Sequence, residues 1–398
     1  MNTILTTEQR NNVLSEMVRL IVKNKAEILT ANKMDVESYN GEDLAMYDRL
    51  KVDETKINGM ILSLQQLLED VDPVGKELYN FTHENGLNII NKTAPFGTVL
   101  IIYESRPDVT VEAAGIAFKS GNKILLKGGK EAVNSNLKIV ELWHKALAAF
   151  NISEIWVEYL NYSRTETQAF LENPTQKVDL IVPRGGEKLI AFVKQHAKCP
   201  VIVSGRGNNF VYVDAEADLE IALKTIINGK TAKISACNAL DKVLIHSNLP
   251  NKEIFIKKLI DKLLEYNVEI LGDAYMASFE NISPFESSAV WFKEFLDYKI
   301  VLGSVVSTED AIAKINTYSG GHSAVIITKN NNTATIFMES VDSAAVYQNA
   351  STRFTDGGQF GLGGELAIST DKLHHRGPMG LQHLVTNKWY VYGNGQIR

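Results

Sequence analysis

The spacing of hydrophobic residues changes along the chain. Over about the first 70 residues it follows a helical period, because Val13, Met17 and Leu20 recur on one stripe with polar residues between them. From Thr98 onward, short uninterrupted apolar runs occur, as is typical of strands buried on both faces. The pattern predicts that the chain begins with helices and continues with a sheet-forming region.

The apolar runs are separated by helical stretches. TVLIIY at 98–103, KILLK at 123–127 and VDLIV at 178–182 are each followed by a helical pattern. Strands that alternate with helices predict parallel βαβ units, right-handed crossovers and a doubly wound α/β sheet. We expect Asp108 to cap the helix after the first of these strands, and Gly121 to end it.

Two segments depart from this alternation. A turn at 83–86 leads into a predicted strand at 86–94, and the segment 386–398 is aromatic with an alternating pattern. A C-terminal strand of this kind often pairs with another element or another subunit. We therefore expect these two segments to lie outside the α/β layers.

Composition and charge narrow the class of protein. Of 398 residues, 45% are hydrophobic and 22% charged, and the formal net charge is −6. This balance is ordinary for a globular protein and offers no basic surface for nucleic acid or an anionic membrane. No run approaches the roughly 20 apolar residues of a membrane span, and the charged N-terminus lacks the apolar core of a signal peptide.

Several familiar motifs are incomplete. Gly229-Lys230-Thr231 resembles the end of a phosphate loop, but Lys224 stands where that motif needs its first glycine. Gly205-Arg206-Gly207 begins a dinucleotide fingerprint, but Phe210 stands at its last glycine. The eight histidines show no metal-ligand spacing, so we expect no bound metal.

Cys237 is the strongest candidate for chemistry. Small residues surround it, and Lys230 and Lys233 precede it. A thiolate stabilised by positive charge or by backbone N–H groups is a good nucleophile near pH 7, although a cysteine can also be an inert buried residue. Cys199 lacks such neighbours, and we interpret it as structural. With only two cysteines, the chain is not expected to have a disulfide framework. We expect a cytoplasmic location.

Glycines follow two of the predicted strands. Gly185 and Gly186 either allow a phosphate to approach a helix N-terminus or form a plain tight turn. Lys127 and Lys130 flank a second glycine pair at a strand end, where ligands collect in parallel sheets. In isolation, these lysines are equally compatible with a solvated surface.

The segment 349–370 is rich in glycine and hydroxyl residues. A long loop of this composition inside a compact domain is usually functional. Arg353 offers a fork of N–H groups for a carboxylate or phosphate. The alternative is a flexible surface loop with a solvated arginine.

Four stretches carry motifs that can be compared with known families. They are IIYESRPDVTVEAAGIAFKSGNKILLKGGKEA (101–132), DLIVPRGG (179–186), CNALDKVLIH (237–246) and VDSAAVYQNASTRFTDGGQFGLGGELAISTDKLHHRGPMGL (341–381). Together they resemble the gamma-glutamyl phosphate reductase family of the aldehyde dehydrogenase superfamily. The resemblance implies an aldehyde dehydrogenase-like α/β fold with two doubly wound domains and a small β region for oligomerisation. The implied bounds are 1–78 and 96–232 for a Rossmann-like cofactor-binding domain, 233–365 for a catalytic domain, and 79–95 with 366–398 for the oligomerisation hairpin and C-terminal strand.

The resemblance also implies an activity, the second step of proline biosynthesis from glutamate. Cys237 matches the nucleophile of the family, which would attack L-glutamyl 5-phosphate, expel phosphate and leave a thioester. NADPH would then reduce the thioester to L-glutamate 5-semialdehyde. The backbone N–H of Cys237 and the hydroxyl of Ser105 would stabilise the oxyanion, Ser105 standing where hydrolytic relatives carry an asparagine.

The cofactor residues are implied in the same way. Lys127 matches the lysine that contacts the adenosine ribose, and Gly185 and Gly186 would lie beside the pyrophosphate. Lys130 is near the position where NAD-selective members carry a glutamate, and a cation there favours the 2′-phosphate of NADPH. Glu294 resembles the glutamate that holds the nicotinamide ribose.

The substrate residues suggested by the resemblance are Arg106, Ser351, Thr352 and Arg353, and which anion each arginine meets stays open. The stretch 204–207 lacks the carboxylate base of hydrolytic aldehyde dehydrogenases, which argues against aldehyde oxidation. Aldehyde oxidation and a non-catalytic scaffold role are the two alternatives to the reductase activity. The expected partners are further copies of the chain, as a dimer or tetramer, and a transient complex with glutamate 5-kinase is a further hypothesis.

Overall fold

Both patterns, the N-terminal helices and the later strand–helix alternation, are present in the computed structural model, which describes residues 5–41 and 44–398. Within these residues the helices are α1 (Thr7–Lys23), α2 (Lys25–Ser38), α3 (Leu44–Leu50), α4 (Glu54–Glu69), α5 (Val109–Lys119), α6 (Val133–Ala148), α7 (Arg164–Glu172), α8 (Glu187–His196), α9 (Leu219–Thr231), α10 (Lys252–Leu264), α11 (Thr308–Tyr318) and α12 (Asn331–Ser340). The strands are β1 (Glu77–Thr82), β2 (Asn88–Pro95), β3 (Thr98–Tyr103), β4 (Lys123–Lys127), β5 (Val157–Tyr159), β6 (Leu180–Arg184), β7 (Asn209–Val213), β8 (Leu240–His246), β9 (Glu269–Gly272), β10 (Ser283–Pro284), β11 (Lys299–Val305), β12 (Ser323–Ile327), β13 (Ala345–Gln348), β14 (Ala367–Ser369), β15 (Gly377–Met379) and β16 (Val385–Tyr392).

The chain is divided into two units by its internal contacts. Unit 1 comprises Met1–Val203, Gly361–Ala367 and Met379–Arg398. Unit 2 comprises Ser204–Phe360 and Ile368–Pro378. Each unit is built on its own parallel sheet.

The sheet of unit 1 has the order β5-β4-β3-β6, with parallel neighbours. The side chains of β3 alternate between two cores because successive residues of a strand face opposite sides. Val99 and Ile101 pack with residues of α4, α5 and α6, whereas Leu100 and Ile102 pack with residues of α7 and α8. Helices therefore cover both faces, which confirms the predicted doubly wound arrangement.

The helix after β3 begins as predicted but is capped differently. Asp108 directly precedes α5, yet its side chain accepts no hydrogen bond from the first turn. Its Oδ2 accepts from Nη2 of Arg106 at 2.7 Å. The physical reason is the backbone, because the helical φ and ψ of Asp108 differ from the extended conformation of a capping residue. The predicted side-chain cap is wrong, whereas Gly121 does follow the helix end with a φ of +78°.

A small antiparallel sheet of order β1-β2-β16 also belongs to unit 1. β1 and β2 form the predicted hairpin, and β16 pairs with β2 along its length, with Trp389 beside Asn91. The expectation that the C-terminal strand pairs with another element is confirmed. Its role in oligomerisation stays a prediction.

In unit 2, seven strands of the described residues form one parallel sheet of order β10-β9-β11-β8-β7-β12-β13. One core lies against α9 and α10, and another against α11 and α12. β7 pairs with β8 and β12, so the segment with β7 and α9 belongs to this sheet. Unit 2 therefore begins at Ser204, earlier than the predicted boundary after residue 232. The functional assignment of the domains stays a prediction.

Among the helices of the described residues, none has the length and apolar character needed to cross a bilayer. The same residues contain no group of three or more His, Cys, Asp or Glu side chains arranged to hold a metal ion.

Candidate active site

Cys237 lies in the turn between α9 and β8, at the amino end of the strand, and is half-buried. Its main-chain oxygen accepts a hydrogen bond from Nδ2 of Asn209 at 2.8 Å. The same amide nitrogen lies 2.7 Å from the oxygen of Ala239 and 2.9 Å from that of Gly207. Because Asn209 is fully buried, its amide holds the main chain on which the thiol is carried.

Asn238 connects this turn to the glycine-rich loop. Its Nδ2 donates to the main-chain oxygens of Thr355 at 2.9 Å and Arg353 at 3.2 Å. In return, the hydroxyl of Thr352 donates to the oxygen of Asn238 at 2.7 Å. Thr352 was predicted to bind substrate, but its hydroxyl hydrogen is used to hold the loop against the residue after Cys237.

Arg353 carries a buried donor that needs an acceptor. Nη1 of its guanidinium has no hydrogen-bond partner among the described residues. A buried unsatisfied donor costs about 1–3 kcal/mol, and an anionic oxygen would remove that cost. The hydroxyl of Ser351 accepts from the backbone N–H of Arg353 at 3.3 Å, so both predicted residues lie in one short turn.

Gly207 brings Glu294 close to the main chain of Cys237. A Cβ atom added to Gly207 would lie 2.1 Å from the main-chain oxygen of Cys237 and 2.6 Å from Oε1 of Glu294. Only glycine leaves room for this approach. The stretch 204–207 itself contains no carboxylate, as expected, but a carboxylate from a distant segment reaches it.

The positive charge expected near the thiol is partly neutralised. Nζ of Lys230 lies 2.9 Å from Oδ1 of Asp241, and both side chains are buried. A buried ammonium needs such a partner, so the charge of Lys230 is opposed by that of Asp241. Lys233 is exposed.

Cys199 fits its structural interpretation, since burial raises the pKa of its thiol and disfavours the thiolate.

In unit 1, Ser105 is buried beside the glycine pair that follows β4. Its hydroxyl donates to Oε2 of Glu131 at 3.2 Å. A Cβ atom added to Gly129 would lie 3.3 Å from the backbone nitrogen of Ser105 and 2.7 Å from Oε2 of Glu131. The structure thus brings the predicted oxyanion donor to a predicted cofactor-binding turn.

The two predicted cofactor lysines differ in environment. Nζ of Lys127 donates to the main-chain oxygen of Gly128 at 2.6 Å. Burial lowers the pKa of Lys127, and the charge of Glu131 opposes that effect. Lys130 is exposed, in the 3₁₀ turn before α6. Only Lys130 is therefore open to a ligand from solvent without a change in its contacts.

The glycine turn before α8 already binds a carboxylate. The N–H of Gly186 donates to Oε2 of Glu104 at 3.1 Å. A Cβ atom added to Gly185 would lie 2.6 Å from Cδ of Glu104 and 2.7 Å from Cδ2 of Leu189. Free N–H groups and the helix dipole favour an anion at such an N-terminus.

Arg106 is also engaged, through its ion pair with Asp108 at 2.7 Å, although 40% of its side chain is exposed.

The predicted site residues are distributed over both units. Unit 1 carries Ser105, Arg106, Lys127, Lys130, Gly185 and Gly186. Unit 2 carries Cys237, Glu294, Ser351, Thr352 and Arg353.

Three residues of these sites had no predicted role, namely Glu104, Asn209 and Asn238. Glu104 directly follows the apolar strand β3, and a charge at such a strand end is a usable signal. The two asparagines act through main-chain oxygens of other segments, for which the sequence pattern contains no signal.

Comparison with known proteins shows the family. The model of the aldehyde dehydrogenase family matches residues 4–278. Gamma-glutamyl phosphate reductases from Clostridium botulinum and Halothermothrix orenii are each 42% identical, covering 99% of this chain and 95% and 94% of those proteins. The crystal structure of gamma-glutamyl phosphate reductase from Thermotoga maritima is similar with a TM-score of 0.94 and 39% identity, over 99% of this chain and 95% of that one. The chain belongs to the aldehyde dehydrogenase family and, within it, to the gamma-glutamyl phosphate reductases.

Proposed function

We propose that the protein reduces L-glutamyl 5-phosphate to L-glutamate 5-semialdehyde and phosphate, the second step of proline biosynthesis from glutamate. The observation that carries the proposal is the turn of Cys237, which is held by buried amides and linked through Asn238 to the loop of Arg353. A nucleophile and an anion-seeking guanidinium are thereby joined in one unit. Family membership supports the same activity.

The sulfur of Cys237 would form a bond to the carbonyl carbon of the acyl phosphate. The bond to phosphate then breaks, and inorganic phosphate leaves with the electron pair, so that a thioester remains on Cys237. The backbone N–H of Cys237 and the hydroxyl of Ser105 are the proposed oxyanion donors, each worth about 3–4 kcal/mol by analogy with other acyl transfers. Ser105 would give up its bond to Glu131 for this purpose.

Aldehyde dehydrogenases use a nicotinamide cofactor, and we propose NADPH here. The turn before α8 would bind its diphosphate once Glu104 withdraws, because the N–H of Gly186, which donates to that carboxylate, then becomes open to another oxyanion. Lys127 would hold the adenosine ribose, Lys130 the 2′-phosphate and Glu294 the nicotinamide ribose. When bound, the reduced cofactor supplies the hydride that converts the thioester to the aldehyde.

The substrate has two anionic groups, and two arginines are proposed for them. Arg353 and Ser351 form one binding element, supported by the unsatisfied Nη1 of Arg353. Arg106 forms the other, with N–H groups left over from its pair with Asp108. Thr352 would act by holding the loop, in view of its bond to Asn238.

The remaining proposals concern assembly and location. Self-association through the β1-β2-β16 sheet into a dimer or tetramer is proposed from its exposed aromatic residues. A transient complex with glutamate 5-kinase and a cytoplasmic location stay predictions.

The reverse reaction tests the proposed function. Purified protein is supplied with pyrroline-5-carboxylate, phosphate and NADP, and formation of NADPH is followed by absorbance. We expect NADPH to form only when phosphate is present, and Cys237→Ala to form none while keeping its fold and its binding of NADPH. NADPH formation without phosphate would instead identify an aldehyde-oxidising dehydrogenase.

A further inference from the structure

Strand β8 contains a lysine that the proposed reaction does not use. Lys242 is fully buried in a strand whose residues are all buried. An ammonium group is costly in such a position unless its charge and its donors are satisfied. The contacts that satisfy Lys242 therefore indicate what it does.

Those contacts lie on both sides of Glu294. Nζ of Lys242 donates to the main-chain oxygen of Lys293 at 2.7 Å. It also lies 4.1 Å from the centre of the Phe295 ring, within the range of a cation–π interaction. The preceding residue, Asp241, accepts from the backbone N–H of Phe295 through Oδ2 at 3.0 Å.

The segment held in this way has little support of its own. Residues 293–296 belong to no helix or strand. Leu296 has a φ of 53°, in the left-handed region that residues with a side chain rarely adopt. A strained backbone persists only where surrounding contacts over-determine it, and Asp241 and Lys242 provide such contacts.

The consequence concerns the carboxylate in the middle of the segment. Glu294 approaches Gly207, and Gly207 adjoins the main chain of Cys237. We propose that Lys242 is a positioning residue, which fixes the main chain around Glu294 and thereby holds its carboxylate ready for the nicotinamide ribose. The inference rests on the proposed function, which assigns the ribose to Glu294.

The carboxylate of Glu294 is among the charges that act on Lys242. Burial lowers the pKa of Lys242 to about 7, while attraction by Asp241 and Glu294 opposes that effect and repulsion by Lys230 and Lys293 adds to it. The ammonium form of Lys242 is thus favoured by the carboxylate of Glu294. Removal of Lys242 or of Glu294 should therefore make the side chain of the other residue less firmly held in its place.

A double-mutant cycle in the full-length protein tests the inference. Lys242→Met keeps most of the side-chain volume and removes the ammonium, and Glu294→Gln removes the carboxylate charge. We expect each variant to raise the Kd for NADPH by roughly 10-fold, measured by cofactor fluorescence. We expect the Kd of the double variant for NADPH to be no higher than that of the single variant with the higher Kd, because Lys242 acts through Glu294.

A lysine with the same pair of contacts elsewhere in unit 2 serves as the matched control. Nζ of Lys252 donates to the oxygen of Ser247 at 2.8 Å and lies 4.6 Å from the centre of the Tyr275 ring. Lys252→Met should leave the Kd for NADPH unchanged. If Lys242→Met does not fold, Phe295→Leu removes the ring contact, keeps an apolar side chain against the neighbouring core and should raise the Kd in the same direction.

The outcomes separate the inference from the function on which it rests. Wild-type protein that binds no NADPH would contradict the proposed cofactor, whatever the variants do. Wild-type binding with an unchanged Kd in Lys242→Met, or with additive effects in the cycle, would overturn the role of Lys242.

Discussion

Buried asparagines hold the main chain around Cys237. The side-chain amides of Asn209 and Asn238 each donate to main-chain oxygens of other segments. The side-chain oxygen of each has no partner among the described residues. A buried polar atom without a partner costs about 1–3 kcal/mol, so fixing the turn has a measurable cost in stability.

Cofactor preference is a prediction for a single residue. Lys130→Glu reverses the charge that is proposed to meet the 2′-phosphate of NADPH. We expect the ratio of kcat/KM for NADPH over NADH to fall by about 10-fold or more, equivalent to about 1.4 kcal/mol. Steady-state kinetics with both cofactors measures this ratio.

Lys33 on α2 provides the control for that substitution. Its side chain is 74% exposed and forms an exposed ion pair with Glu37. Lys33→Glu should leave the ratio unchanged. An unaltered ratio in Lys130→Glu would show that the 2′-phosphate is recognised elsewhere.

Between elements, a chain of buried and half-buried hydroxyl groups links β12 and β13 to the loop of Arg353. Nδ1 of His322 lies 2.7 Å from the hydroxyl of Ser323, which lies 2.7 Å from that of Thr355. The hydroxyl of Tyr347 also lies 2.7 Å from that of Thr355. Thr355 in turn accepts from Asn238 through its main-chain oxygen, so the network supports the turn of Cys237.

The network predicts acid sensitivity. Burial lowers the pKa of His322 from 6.5 to about 4. The unfolded chain therefore binds more protons at this residue between pH 6.5 and 4, and stability falls as the pH falls through that window. In His322→Asn we expect the free energy of unfolding to depend less steeply on pH, by at most about 1.4 kcal/mol per pH unit. Urea unfolding at several pH values measures it.

Tyr347→Phe is the matched control for the acid experiment. It removes a hydroxyl from the same network without removing a group that titrates in this window. We expect a lower free energy of unfolding at every pH, with the same slope against pH as in the wild type. Equal slopes for wild type and His322→Asn would show that His322 does not stay neutral in the folded protein.

At the scale of the molecule, the β1-β2-β16 sheet exposes an unusual apolar surface. Tyr79 and Trp389 are 51% and 54% exposed, and their rings lie 5.9 Å apart at a steep angle. Phe81 and Val391 add to the same sheet at 44% and 56% exposure. Contiguous exposed apolar groups of this kind indicate an interaction surface.

The proposed self-association through this sheet predicts a concentration-dependent mass. Trp389→Glu would introduce a charge into the interface, so we expect the protein to shift to monomers in analytical ultracentrifugation. Leu373→Glu, at a residue that is 94% exposed in unit 2, should leave the mass unchanged. A monomeric wild type at all concentrations would contradict the proposal.

The sequence by itself determined the strands β3 and β4, the alternation of strands and helices, and the choice of Cys237. Periodicity and residue chemistry are local properties, so they can be read without knowing which segments meet. Lys242 marks the limit of this reasoning, because a lysine in an apolar strand signals a function but not its partner.

Only the tertiary structure decided which distant side chains meet. Asp241 neutralises Lys230, and the turn before α8 binds Glu104. Each outcome depends on competition between partners in a buried environment, where the closest charge or hydrogen bond prevails. That competition is absent from the order of residues along the chain and arises when the sheets bring remote segments together.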